Sequence, residues 1–373
     1  LSEPTIRSDC RAHPAEIIMK LPALLAFATL LLTAALSFAA DDIAFERVIG
    51  PEYPGKYKHP ATIEEFDNGD LYIVYYGGDG EYAEKTADYG MRKKAGETKW
   101  SEPEVIANTP FYSDGNVVVW QAPDGLVWIF YVVRFGDTWS TSRIAAKLSE
   151  DRGKTWSDSF LLALEEGMMV RSRPLVLSTG EYLLPVYRET GHDTEVVGAD
   201  SVSLFLRFDP KTKQWTKSGP IRSKRGNIQP SVVELSPGNL LAFCRRGGGY
   251  GPGTEGFMVA ATSKDGGQTW SEGVDTKFPN SNAAIDLLKL KNGHLLLVYN
   301  NSPIDRTPLT VAISTDGGKT WPHSRDIATG DFDYAYPYAI QGQDGKIRLI
   351  YTSHARSQIN VATFDESAIT GAK

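Results

Sequence analysis

Apolar and polar positions alternate along this chain in short, regularly spaced runs. In residues 291–321, KNGHLLLVYNNSPIDRTPLTVAISTDGGKTW, an Asn-Gly turn leads into an apolar segment at 295–299, then a polar loop, a second apolar segment at 309–313, and a closing turn at 314–321. Runs of Leu, Val, Ile and Tyr bounded by turn residues predict strands joined as hairpins. In the closing turn Asp316 is placed to accept hydrogen bonds from its own backbone, and Gly317 and Gly318 tolerate positive φ. Trp321 is expected to fold back over the hairpin as an apolar plug.

The box Ser-x-Asp-x-Gly-x-Thr-Trp occurs in full at 149–156, 263–270 and 314–321. The glycine turn before the first apolar segment recurs at Gly69, Gly125, Gly180, Gly238, Gly293 and Gly345, at intervals of 52 to 58 residues. Repeats of that period signal solenoids or propellers. Degenerate boxes at 96–100 and 209–215 bring five of the six units to a terminal Trp, whereas the sixth ends at 361–364 without one. A propeller must hide its last edge, and residues 43–49 supply a missing outer strand. The prediction is an all-β, six-bladed propeller with four-stranded antiparallel blades, closed by its own N-terminal strand.

Upstream of the repeats, Met19-Lys20, the apolar stretch 21–36 and Ser37-Phe38-Ala39 have the order of a secretory signal peptide. The expected organisation is an upstream extension of the reading frame at 1–18, a signal peptide at 19–40 and the propeller at 41–373, with a secreted or periplasmic product. Cleavage leaves Cys244 alone, so no intrachain disulfide is expected and the thiol reads as a small buried hydrophobe. A net charge of −7 argues against nucleic acid and against an anionic membrane surface. A local arginine cluster still leaves room for an anionic glycan. The six histidines are scattered without ligand spacing, so neither a metal nor another cofactor is expected, and the chain is read as a monomer free of the membrane after cleavage.

In a propeller the innermost strand of each blade lines the central channel and begins at its mouth. Those starts are Lys58-His59-Pro60, Asn116-Val117, Arg171-Ser172-Arg173-Pro174, Asn227-Ile228-Gln229-Pro230, Ser281-Asn282 with Asp286, and Tyr334-Ala335-Tyr336-Pro337-Tyr338. A mouth that gathers His59, Arg171, Arg173, Gln229 and Tyr336 is a polar pocket, with Lys58, Asn282 and Tyr334 as further substrate-binding candidates.

The three boxes match the Asp-box, or BNR, repeat, and the six-fold pattern resembles the sialidase (neuraminidase) superfamily over essentially the whole chain from Asp41. The likeness is closest to its bacterial sialidase-like branch, through QPSVVEL at 229–235, SNAAIDLLKLKNGHLLLVYN at 281–300 and YAYPYAIQ at 334–341. The boxes are structural and identify the fold. The resemblance implies an enzyme that grips a substrate carboxylate with three arginines, attacks with a tyrosine assisted by a glutamate, and protonates the leaving group with an aspartate. At an anomeric carbon that bears a carboxylate, a neutral phenol is a better nucleophile than a charged Asp or Glu. Guanidinium forks suit the carboxylate because they bind it bidentately.

Carried over by position, the resemblance implies Tyr336 as nucleophile, Arg306 as the third arginine and Arg245 or Arg246 as the second. Two positions depart from the pattern. Lys58-His59-Pro60 stands where the family reads Arg-x-Pro, and Asn227 stands where the assisting glutamate is expected. Asp79 leads as the acid, with Glu81 and Asp88 as alternatives. The leading function is a secreted exo-acting glycoside hydrolase that releases a terminal acidic sugar. His59, with an ordinary pKa of about 6.5, also suits proton transfer, which keeps a uronate-directed polysaccharide lyase as an alternative beside a non-catalytic carbohydrate-binding propeller.

Overall fold

All six repeat glycines take left-handed backbone, with φ between 77° and 89°, which is the conformation that closes the turn between the first two strands of each unit. The computed structural model describes residues 42–371 apart from 54, 84, 193–195 and 251–255. The expected extension at 1–18 and signal peptide at 19–40 lie outside the described residues.

Around these turns the chain forms six antiparallel sheets, each a meander running from the channel outward. The unit that was clearest in sequence becomes the sheet Asp286–Lys289, Leu295–Asn300, Leu309–Ser314 and His323–Ala328. The last sheet holds Ala335–Gln341, Ile347–Ser353 and Gln358–Phe364, and Ile43–Ile49 pairs with its outer edge, Ile43 opposite Phe364 and Ile49 opposite Ile359. The ring is therefore closed as expected, and its last edge is hidden. One inner strand is broken: Met168–Val170 and Leu175–Val176 flank Arg171-Ser172-Arg173-Pro174, where proline has no N–H for a ladder.

Inner strands of neighbouring blades are joined by side chains. Thr62 Oγ1 donates to the Val117 carbonyl at 3.3 Å and accepts from the Val119 N–H at 3.2 Å. Ser231 Oγ donates to Asp286 Oδ1 at 3.1 Å and accepts from the Leu287 N–H at 2.9 Å. Between blades the apolar faces close on one another, with Ile63, Ile73, Val118, Phe130 and Ile350 fully buried in one cluster. Cys244 is a free, buried thiol that burial pushes up to about 12.

Within the boxes, Asp316 accepts from the Thr320 N–H at 2.9 Å and the Thr320 hydroxyl at 2.6 Å, contacts that hold its carboxyl down at about 2. The tryptophans differ from expectation. Trp270 stacks on Phe205 at 4.5 Å, and Trp321 lies 5.7 Å from Phe278 and 6.1 Å from Phe243. All of those partners belong to the preceding blade. Each of these two indoles fills a seam between blades, anchored to its own turn by a hydrogen bond to the carbonyl of Gly267 or Gly318 at 3.2 Å.

Candidate active site

Four polar residues at the mouth hold a left-handed backbone: Asn116 (φ 49°), Gln229 (52°), Asn282 (59°) and Tyr336 (53°). Three of them lie where strand register slips, between Gly115 and Val118, Ile228 and Ser231, and Ala335 and Tyr338. A bulge leaves a residue unpaired and re-aims its side chain, and such backbone in a Gln or Tyr is uncommon outside functional sites. Asn116, Gln229 and Tyr336 converge on one pocket with about 530 Å³ of empty space.

The second strand of each hairpin runs antiparallel to the first, so its far end returns to the same mouth. The end of Asn239–Arg246 brings Arg245 onto the pocket wall, and chain leaving Leu71–Gly78, Tyr182–Arg188 and Ile347–Ser353 brings Glu81, Glu189 and Arg356.

Arg245 is the hub. Its Nη1 donates to the Tyr336 phenolic oxygen at 3.1 Å and to Gln229 Oε1 at 3.2 Å, its Nε to Asn282 Oδ1 at 2.7 Å, and its Nη2 to the Tyr250 hydroxyl at 2.7 Å. The Arg306 guanidinium lies 5.6 Å from the Tyr336 ring, and its buried Nη1 has no hydrogen-bond partner among the described residues. Arg171 Nη2 donates to the carbonyls of Tyr336 at 2.8 Å and Pro337 at 3.1 Å, fixing the strand that presents the phenol. Burial pushes the Tyr336 hydroxyl up, but the positive charges of Arg245, Arg306 and Arg356 outweigh it and bring it below the ordinary phenol range.

Opposite, Glu81 Oε2 accepts from the Tyr57 hydroxyl at 2.6 Å and from Arg356 Nη1 at 2.5 Å. Glu189 sits on the same wall, where burial pushes its carboxyl up to about 7 against the pull of Arg245. Tyr187 accepts from Asn116 Nδ2 at 3.0 Å and buttresses the floor.

His59 lies beneath the pocket. Its Nδ1 is 2.8 Å from Thr352 Oγ1, and its ring meets that of Tyr336 edge-on at 4.1 Å. Burial, reinforced by the charges of Arg356, Arg306, Arg171 and Arg245, holds it well below the usual histidine range, so the imidazole is neutral.

The structure brings Gln229, Arg245, Arg306 and Tyr336 together on the pocket wall, and Glu81 among the acid candidates. His59, Arg171 and Asn282 stand directly behind that wall. The remaining candidates lie elsewhere. Lys58 donates to the Gly55 carbonyl, and Arg173 binds Asp286 at 2.8 Å beside the Tyr338 ring. Arg246 holds the Asn280 carbonyl at 2.5 Å, and Tyr334 donates to the Thr329 carbonyl at 2.8 Å. Asp79 is exposed and off the wall, and Asp88 is buried with Asp114 at the seam of the first two blades.

Glu189, Arg356, Tyr57 and Tyr250 escaped the sequence reading. The first two carried a usable signal, since they follow the second strand of their units and must return to the mouth. Arg356 matters most, because it brings a third guanidinium to the pocket where Lys58 has turned away. Among the described residues, no group of three or more His, Cys, Asp or Glu is placed to hold a metal ion.

Residues 69–349 match the model of the BNR repeat-like domain, three-quarters of the chain. The chain belongs to the BNR repeat-like domain family. This BNR repeat-like protein is 24% identical over 265 residues to the anhydrosialidase of Macrobdella decora, covering 61% of this chain and 31% of that protein. It is 26% identical over 247 residues to a sialidase of Bacteroides fragilis, covering 61% and 42%. The chain thus spans about a third to two-fifths of the length of these relatives. Among solved structures, the NanB sialidase of Streptococcus pneumoniae superposes with a TM-score of 0.71 at 12% identity, over 87% of this chain and 71% of that one. That likeness shows the fold, a sialidase-like BNR propeller.

Proposed function

We propose that the protein is a glycoside hydrolase that removes a terminal acidic sugar from a glycan, with Tyr336 as the nucleophile. The observation that carries this reading is the phenol of Tyr336, held by Arg245 at 3.1 Å inside a pocket whose wall also bears Arg306 and Arg356. Such a site favours a phenolate and a substrate carboxylate together, and relatives that bear the names sialidase and anhydrosialidase support the choice of sugar. Arg306, whose Nη1 has no partner among the described residues, is assigned to the carboxylate together with Arg356.

In the first step the phenolic oxygen bonds to the anomeric carbon as the glycosidic C–O bond breaks. Glu81 takes the phenolic proton, standing in for the glutamate that Asn227 replaces. Glu189, the wall carboxyl that keeps a proton near neutrality, gives it to the leaving oxygen. Water, giving a proton to the Glu189 carboxylate, then attacks the anomeric carbon as its bond to the Tyr336 oxygen breaks; the phenolate takes its proton back from Glu81 and the sugar is released. Nothing specific favours the lyase reading, because its base, His59, is sealed under Tyr336 and is not on the pocket wall.

The proposal includes export through the segment at 19–40, which N-terminal sequencing of the exported product tests. The activity is tested by mass spectrometry of products from sialosides and uronate-terminated oligosaccharides. Release of a hydrated acidic sugar that disappears in Tyr336→Phe supports hydrolysis. An unsaturated uronate moves the protein to the lyases, and sugar binding without any product makes it a binding module.

A further inference from the structure

The hairpin loop that delivers Arg356 to the pocket is wound against the preference of its own residues. It consists of His354, Ala355, Arg356 and Ser357, between the paired Ser353 and Gln358, and it holds no glycine. Even so, His354, Ala355 and Arg356 take φ of 55°, 50° and 64°. A left-handed residue with a Cβ is crowded by the carbonyl that follows it, and backbone of this kind persists only where the surroundings over-determine it.

The surroundings act on both backbone and side chains. The Lys58 N–H donates to the Arg356 carbonyl at 2.8 Å, and the N–H and hydroxyl of Ser357 both donate to the His354 carbonyl, at 3.2 and 2.7 Å. The His354 ring stacks on Phe332 at 3.8 Å with 24° between the planes, and its Nδ1 lies 2.8 Å from Ser353 Oγ. Phe332 belongs to another stretch of chain, between His323–Ala328 and Ala335–Gln341, and stays 45% exposed. The next residue, Asp333, faces Arg356 Nε across 3.9 Å, an ion pair without a hydrogen bond. At its tip Arg356 Nη1 donates to the Tyr57 hydroxyl at 2.9 Å and to Glu81 Oε2 at 2.5 Å.

We infer, resting on the hydrolase reading for the role of Arg356, that Phe332 and His354 are positioning residues whose stack clamps the left-handed turn and keeps the Arg356 guanidinium in the pocket. The physical reason is preorganisation. Arg245 stands in a strand and is held by its ladder, whereas Arg356 stands on a loop. A guanidinium on a relaxed loop samples several placements and loses affinity to ordering when it binds, and a clamped one does not. The strain of the turn is offset by the stack and returned as a fixed grip on a substrate carboxylate.

The test reads the clamp through turnover of an aryl sialoside and through calorimetric binding of free sialic acid. Phe332→Leu keeps apolar bulk and loses the stacking plane. It is expected to raise KM and the Kd of sialic acid about tenfold, the order of one weakened charge-assisted hydrogen bond, with a smaller effect on kcat. Phe332→Tyr keeps the plane and is expected to restore both constants. In an Arg356→Gln background Phe332→Leu is expected to add nothing further, because its effect is carried by Arg356. An effect that persists in that background, or a Phe332→Leu protein with unaltered KM and Kd, would overturn the clamp. If the unaltered protein turns over no sialoside, the hydrolase reading fails separately and the calorimetric arms decide. If it does not bind sialic acid either, the crystal structure of Phe332→Leu decides: Arg356 displaced from Glu81 on a relaxed turn sustains the clamp, and an unmoved turn overturns it.

Discussion

Arg245 and Tyr336, 91 residues apart in the chain, meet through a 3.1 Å hydrogen bond from guanidinium to phenol. The arginine ends the second strand of one hairpin and the tyrosine occupies a bulge in another blade. Their contact couples the charge of the pocket to the protonation of the nucleophile.

Removing that charge should make the phenol harder to ionise. Arg245→Met is expected to cost about 10²-fold in kcat, in the range for loss of one donor to a developing oxyanion. It is also expected to move the rising limb of the pH–rate profile to higher pH, because a less stabilised phenolate needs a more alkaline solution. A profile that keeps its position while kcat falls would exclude the electrostatic role.

Glu189 sets the other limb. Its carboxyl is pushed up to about 7 by burial, so the proton it donates is present below that pH and lost above it. Activity is expected to fall as pH rises past about 7, and Glu189→Gln is expected to abolish that fall along with most of the rate on substrates with poor leaving groups. Unchanged alkaline behaviour in the variant would remove Glu189 from the mechanism.

Arg306 offers a buried Nη1 with no hydrogen-bond partner among the described residues, which suits a bidentate grip on a substrate carboxylate. Lysine keeps the charge and loses the fork. Arg306→Lys is expected to raise KM about tenfold to a hundredfold, the weight of one or two charge-assisted hydrogen bonds, with a smaller effect on kcat. Equal KM for both forms would place the carboxylate elsewhere.

His59 supports the Tyr336 ring and stays neutral. His59→Gln is expected to lower kcat by about tenfold or less by loosening the ring, with the pH profile unmoved and products unchanged. Disappearance of an acid limb would show that His59 titrates in the reaction, as a lyase requires.

At the seam of the first two blades, burial pushes the Asp114 carboxyl up to about 6, and burial with the Asp114 charge pushes Asp88 well above its usual range. Both folded values exceed the unfolded one, so the fold favours the protonated acids. Their stabilisation is complete below about pH 4 and is lost as pH rises through 6. Asp114→Asn is expected to flatten that dependence and to stabilise the protein at pH 7 by about 1–3 kcal/mol. Thermal unfolding between pH 4 and 7.5 checks it, and a steeper decline in the variant would contradict it.

The repeat was legible because each of its signals is local. Glycines at the turns, Asp316 with Thr320 in the box, and alternating apolar segments are read within a few residues, and strand closure by Ile43–Ile49 follows from counting units. Tyr336 was also within reach, since the start of an inner strand occupies a fixed place in a hairpin, whereas Arg245 and Arg306 were reached through the family resemblance. Lys58 stood at the position of a pocket arginine, but its ammonium donates to the Gly55 carbonyl and is not on the pocket wall.

The sequence by itself determined the number of blades, their order and which strand starts lie at the mouth, because hairpin periodicity and turn chemistry act over short range. Only the tertiary structure decided which of those residues face one another. Arg356 meets Glu81 from 275 positions away, Trp270 fills a neighbouring blade's seam, and Phe332 borders a recess that Arg306 and Arg356 share with the pocket. Such contacts depend on how blades twist and bulge against each other around a closed ring, and no local pattern encodes that.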